Sequence, residues 1–223
     1  MTRARAHASS ARPTTKRRGA TRFVFVRHGE TDWNRRPRFR GHVDVPLNRT
    51  GIRQAMLAGR RLASLDVAAV YTSPLGRTTQ TAHAVAAPHA LRVTTEPGLI
   101  DMDFGTWHGQ SPAQVRRADP ARYRRWLTAP DRVRIAGGET LDQVHARTLA
   151  LLAALQRRHR GETVVLVSHD IVGRVLVCIA LDISLGGLWR VPQDNAAVSV
   201  FDHDGRSLTA VTINDIGHLT SER

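Results

Sequence analysis

Two histidines stand where apolar runs end. Phe23-Val24-Phe25-Val26 leads into Arg27-His28-Gly29-Glu30-Thr31, and Thr163-Val164-Val165-Leu166-Val167 leads into Ser168-His169-Asp170. A neutral imidazole is a good nucleophile near neutral pH, since its ordinary pKa is about 6.5. An arginine beside it offers a forked, permanently charged donor to an anion's oxygens. A third segment, Ala68-Ala69-Val70-Tyr71 followed by Thr72-Ser73-Pro74-Leu75-Gly76-Arg77, brings another arginine. The chemistry on offer is attack by an imidazole on an anion gripped by guanidinium groups.

These residues need elements to bring them together. Runs rich in β-branched and aromatic residues read as buried strands, and open α/β sheets bind ligands at the carboxyl ends of their strands. Ser73-Pro74 fits an N-cap with proline at the first helical position. Arg77 would then leave the first helical turn, where free N–H groups and the helix dipole favour an anion. The pattern predicts strands at 22–27, 67–72, 91–95, 163–168, 196–202 and 207–213, and helices at about 50–64, 74–87, 111–127, 140–159 and 170–181. Strands alternating with helices point to an α/β fold, a doubly wound and mostly parallel sheet with helices on both faces. The stretch from Asp103 to Gly138 has no strand of its own, and its Arg-rich helix is expected to form a small helical cap insertion over the pocket. Gly205 marks a hairpin turn before the last strand.

The ordered motifs resemble the histidine phosphatase superfamily, the phosphoglycerate-mutase-like group, in its phosphatase-type branch. The resemblance rests on Arg27-His28-Gly29-Glu30-Thr31 with Asn34 following, and on Gly41-x-x-Asp44-x-Pro46-Leu47-Asn48-x-x-Gly51-x-x-Gln54-Ala55. It continues through Ser73-Pro74-Leu75-x-Arg77-Thr78-x-Gln80-Thr81-Ala82 and Phe104-Gly105-x-Trp107-x-Gly109, then Gly138-Glu139-Thr140 and Val167-Ser168-His169-Asp170. Nearly the whole chain is covered, from about residue 22 to about 201.

That resemblance implies that His28 is the nucleophile and is phosphorylated on a ring nitrogen. It gives Arg27, Asn34, Arg77 and His169 to the phosphate, with His169, if protonated, a third positive donor; Gly41 and Thr31 belong to the same neighbourhood. Phosphoryl transfer needs positioning and charge neutralisation above all, so this pocket can work without a metal, and no cofactor is expected. No HExxH, clustered-Cys or EF-hand-like spacing points to a metal. The leaving oxygen needs a proton, and here the chain departs from the pattern. Where phosphatase-type relatives carry Glu two residues before an acidic-Phe-Gly segment, this chain has Asp101, one methylene shorter. Asp101 is the expected general acid, with Asp103 and Asp170 as competitors; Asp103 would share its face if the segment is extended. A second departure is His108, where Glu is usual, read as a substitution outside the reacting centre or as a change in substrate preference.

Composition bounds the rest. A chain of 223 residues suits one well-buried α/β domain, placed at 22–219 with the cap at about 103–138. The single cysteine, Cys178, lies in an apolar segment, which rules out an internal disulfide framework and fits a reducing compartment. No apolar run approaches the ~20 residues needed to span a bilayer, and no signal-peptide core is visible, so the expected location is cytoplasmic. The net charge is +14, half of it from residues 1–22, which hold seven basic residues and no acid. Residues 1–21 read as a disordered basic tail. Lys16 is the only lysine, so the heavy arginine use reflects coding bias more than nucleic-acid recognition. Arg35, Arg36, Arg38 and Arg40 cluster after Asn34 and would steer anionic substrates if their loop borders the pocket.

The function expected is metal-independent hydrolysis of a small phosphorylated metabolite through a phosphohistidine. A cofactor-dependent phosphoglycerate mutase would use the same intermediate but carries a longer central insertion than this spacing allows. A non-catalytic anion or phosphoprotein binder would leave His28 idle. The substrate is a small molecule and not a membrane, and a homodimer is left open by the resemblance.

Overall fold

Alternating side chains on the two central strands explain the layering. In β1 (Thr21–Arg27) Phe23 and Phe25 point to one face and Val24 and Val26 to the other. In β4 (Thr163–Ser168) Val164 and Leu166 join the Phe side, Val165 and Val167 the opposite side. Both faces are therefore apolar, as a sheet covered on both sides requires. The computed structural model describes residues 19–220, so the basic tail expected over 1–21 lies almost wholly outside the described residues.

One six-stranded sheet runs in the order β3-β2-β4-β1-β5-β6, with β2 at Ala69–Thr72, β3 at Val93–Thr95, β5 at Val198–His203 and β6 at Leu208–Asp215. β3, β2, β4 and β1 are parallel, whereas β5 pairs antiparallel with β1 and β6 antiparallel with β5. Helices α2 (Arg49–Leu62) and α3 (Gly76–Ala86) follow the one-turn α1 (Asp32–Arg35) and supply Ala58, Leu62, Ala82 and Val85 to the Val24 side. The other side is packed by α6 (Leu141–Arg158) and α7 (Asp170–Leu181), and buried Cys178 lies in that core. Gly205 takes φ +97° in the β5–β6 turn, as expected.

Two helix boundaries differ from the sequence pattern. The helix expected over 111–127 is two helices, α4 (Pro112–Ala118) and α5 (Pro120–Thr128). A residue before proline is pushed out of the helical region, so Asp119 sits at φ −143°, ψ 76°, and caps α5 through the Arg122 N–H instead. Ser73 is not the N-cap of α3, which starts at Gly76. Its hydroxyl faces His169, and the Gly76 N–H is met by Asp44 Oδ1 at 2.8 Å. The cap helices bury Val115 and Trp126 in the same core as Phe104 and Trp107.

Candidate active site

The site forms where β1 and β4 end side by side. Arg27 and Ser168 are register partners, and the His28 N–H donates to the Ser168 carbonyl at 3.0 Å. His28 and His169 are thus delivered as neighbours, with ring centroids 5.3 Å apart, both fully buried. His28 Nδ1 lies 2.7 Å from its neighbour Gly29's carbonyl, an acceptor only, so Nδ1 carries the hydrogen. Nε2 is left with its lone pair and has no hydrogen-bond partner among the described residues. His169 Nε2 meets Ser73 Oγ at 2.7 Å, and its Nδ1 lies 3.7 Å from Asp101 Oδ2.

Three arginines surround the pair. Arg77, wholly buried, donates to the carbonyls of Gly41 and Val43 at 2.9 Å each and lies 3.4 Å from Asp101 Oδ2. Arg27 donates to the Gln193 carbonyl and stands 3.5 Å from Asp170. The Nε atoms of Arg27 and Arg77 are buried and lack partners among the described residues. Arg40, half-buried, donates to Thr31 Oγ1 at 3.0 Å. Burial pushes the Arg40 guanidinium down to about 10, with Arg27 adding to the effect. Asn34 Oδ1 accepts from both the Thr31 N–H and its hydroxyl at 2.9 Å, which turns the amide NH2 group toward other acceptors.

Burial first, then the fields of Arg40, Arg77 and Arg27, hold His28 well below the usual histidine range. Burial and Arg77 do the same to His169. Positive charge on the expected third donor is therefore disfavoured by its surroundings. Burial raises the Asp101 carboxyl above the usual range, against the opposing pull of Arg77 and Arg40. A carboxyl whose hold on a proton is strengthened in this way has the character a proton donor needs.

Of the three candidate acids, only Asp101 stands between Arg77 and His169. Asp103 does not share its direction. It accepts from the Gly105 N–H at 2.7 Å and faces His42 and His108, at 3.6 and 3.4 Å. Phe104 then leads into a 3-10 turn. Asp170 borders the same pocket but lies 3.0 Å from Arg174 and 3.5 Å from Arg27. His108 accepts from the Phe104 N–H at 3.0 Å, so it braces the acid segment from within.

Beyond the polar centre lies a cavity of about 140 Å³ walled by Phe39, Phe104, Trp126, Ile171 and Trp189, with Arg38, Arg40, Asp101 and Asp170 also on its lining. Trp126 comes from the cap. The sequence placed Arg40 in a cluster expected to steer anions if its loop borders the pocket, and gave Ser73 a capping role; the structure sets Arg40 on the cavity lining beside Thr31 and Ser73 against His169. The side chains holding Asp101 from behind, Arg147 and Glu139, carried no assigned role, although Glu139 lay within a quoted motif. Among the described residues no three His, Cys, Asp or Glu side chains group to hold a metal ion, and no helix is long and apolar enough to cross a membrane.

Residues 23–216 match the family described as histidine phosphatase superfamily, branch 1. The chain belongs to that superfamily. It is 34% identical over 198 residues to a protein of Hydrogenobacter thermophilus named phosphoserine phosphatase 1, covering 89% of this chain and 94% of that one. It is 31% identical to "Probable phosphoglycerate mutase GpmB" of Salmonella choleraesuis, over 87% of this chain and 93% of the relative. The solved structure of Bacillus stearothermophilus YhfR superposes with a TM-score of 0.86 at 32% identity, covering 90% of this histidine phosphatase and all of that chain.

Proposed function

We propose that this histidine phosphatase hydrolyses a small phosphomonoester through a phosphohistidine on His28. The observation that carries the proposal is the free, arginine-ringed Nε2 of His28 within a site that also holds the raised carboxyl of Asp101. Nε2 attacks phosphorus, the N–P bond forms and the P–O bond to the leaving alcohol breaks. Asp101 gives its proton to the departing oxygen. A water then attacks the phosphohistidine while the Asp101 carboxylate takes its proton, returning neutral His28 and free phosphate. Arg27, Arg77, the Asn34 amide and His169 bind the phosphoryl oxygens, and Arg40 adds positive charge where negative charge builds up. The aromatic-walled cavity receives the alcohol, and its modest size favours small metabolites over polymers.

A mutase would return the phosphoryl group to the product instead of to water. The likeness to the Salmonella relative keeps that reading second. The test is hydrolysis of p-nitrophenyl phosphate in EDTA from about pH 5 to 8, comparing the native chain with His28→Ala. EDTA-resistant turnover abolished by the substitution is expected. Turnover that survives His28→Ala would refute the nucleophile, and inactivity of both proteins would direct the work to a mutase assay.

A further inference from the structure

The segment that carries Asp101 pairs with no strand, yet its backbone polar groups are fastened one by one. Arg147, two turns into α6, donates to the Gly98 carbonyl at 2.8 Å and to the Asp101 carbonyl at 3.1 Å. The same guanidinium grips Glu139 with both faces of its fork, at 3.0 and 3.1 Å. Glu139 in turn accepts the Asp103 N–H at 3.0 Å, and its own N–H donates to the Asp103 carbonyl at 2.9 Å. Both side chains of the pair are mostly buried. The carbonyls of Gly98 and Asp101 and both backbone groups of Asp103 are thus held by one ion pair that touches neither His28 nor His169 nor any of the three arginines around them, with His42 Nε2 also 3.0 Å from the Asp101 carbonyl.

An aspartate has a short stem, so the placement of its backbone decides where its carboxyl lies. Asp101 Oδ1 is occupied by the Met102 N–H at 3.0 Å, which leaves Oδ2 as the atom facing Arg77 and His169. A shift of the peptide would carry Oδ2 with it, and no longer side chain is available to reach back. We infer that Arg147 and Glu139 are a positioning pair for the proton-donating carboxyl of Asp101, an inference that rests on Asp101 being the general acid. The pair sets the donor's distance to the leaving oxygen and leaves nucleophile and phosphate binding alone.

A merely structural pair would impair all substrates alike; a pair that positions the acid would not. The leaving oxygen of p-nitrophenyl phosphate departs readily as the phenolate, whereas that of benzyl phosphate, of similar size, needs a proton. The experiment measures kcat/KM for both esters with the native protein, Arg147→Met, Arg147→Lys, Glu139→Gln and Asp101→Asn, with a thermal melt of each. The expected result is that Arg147→Met lowers kcat/KM for benzyl phosphate about tenfold or more beyond its effect on p-nitrophenyl phosphate. Glu139→Gln should follow in the same sense, and Asp101→Asn should show the largest split. Equal losses on both esters in the Arg147 and Glu139 variants, beside a selective loss in Asp101→Asn, would overturn the positioning role and leave the acid in place. No selectivity in Asp101→Asn would overturn the acid and the inference together. Should Arg147→Met not fold, Arg147→Lys and Glu139→Gln decide the matter by the same ratio.

Discussion

The ring Nδ1 of His28 stands 2.7 Å from the carbonyl oxygen of Gly29, the next residue in the chain. This contact selects the tautomer and leaves the lone pair on Nε2, the atom to which the proposed reaction gives the attack. It also orients the ring without help from any charged group, so the nucleophile owes its alignment to the backbone turn at the end of β1. In the proposed reaction the three arginines are then left to act on the phosphate.

The acidic limb of kcat/KM should lie well below the ordinary histidine range. Burial and three guanidinium groups disfavour a proton on His28. A proton on Nε2 removes the attacking lone pair, so the rate falls only as pH drops through the depressed pKa. Arg40→Met should move that limb upward. A pH profile corrected for the substrate's own ionisation near about pH 6 checks both statements, and an unmoved limb would contradict the assignment of cause.

Stability should decline in acid for the same reason. His28 and His169 are held neutral when folded, while the unfolded chain takes up protons at about pH 6.5. The unfolded state binds more protons between that value and the folded ones, so stability is lost as pH falls through this window. His169→Gln should lose less melting temperature than the native protein between about pH 7 and pH 5. An identical loss in calorimetry would count against the burial argument.

The arginine cluster after Asn34 should divide into two kinds. Arg40 points into the site, whereas Arg35 is 70% exposed at its side chain and Arg36 is also exposed. Replacing Arg35 and Arg36 by Ser should lower kcat/KM at low salt, with the deficit closing at high salt. Arg40→Met should cost about a hundredfold at any ionic strength. Initial rates across a salt series separate the two.

Gly41→Ala should destabilise the fold and the site at once. Gly41 has φ +46°, its carbonyl accepts from Arg77, and an added Cβ would collide with the His108 ring. A cost of about 1–3 kcal/mol is expected from the backbone strain alone. Denaturant unfolding of Gly41→Ala and of Gly41→Ala/His108→Ala tests this; relief in the double variant identifies the collision.

The sheet and both histidines were legible because their signals are local. Phe23–Val26 and Val164–Val167 carry a full strand's worth of apolar residues, and His28 and His169 follow them directly. Asp101 was singled out through the family resemblance, and the structure sets it beside Arg77 and His169. The break at Pro120 was also written in the sequence, in the rule that proline restrains the residue before it, but the helical periodicity around it masked the signal. What could not be read was long-range. Arg147 reaches Gly98 and Asp101 across 49 and 46 residues. Ser73 meets His169 across 96. Asp103 faces His42, His108 and the Gly105 N–H, partners that alternation along an extended segment does not foresee.

The pairing of Arg27 with Ser168 has a consequence for how such a protein can diversify. The separation of the two histidines is a lattice constant of the sheet, about 4.8 Å between parallel strands, and no loop length enters it. The walls that meet the alcohol, by contrast, include Phe39 from the segment after α1 and Trp126 from the cap. The gauge between the histidines is therefore mechanically decoupled from the recognition surface: the helices over 112–128 can be exchanged like the jaw of a tool while that gauge stays fixed.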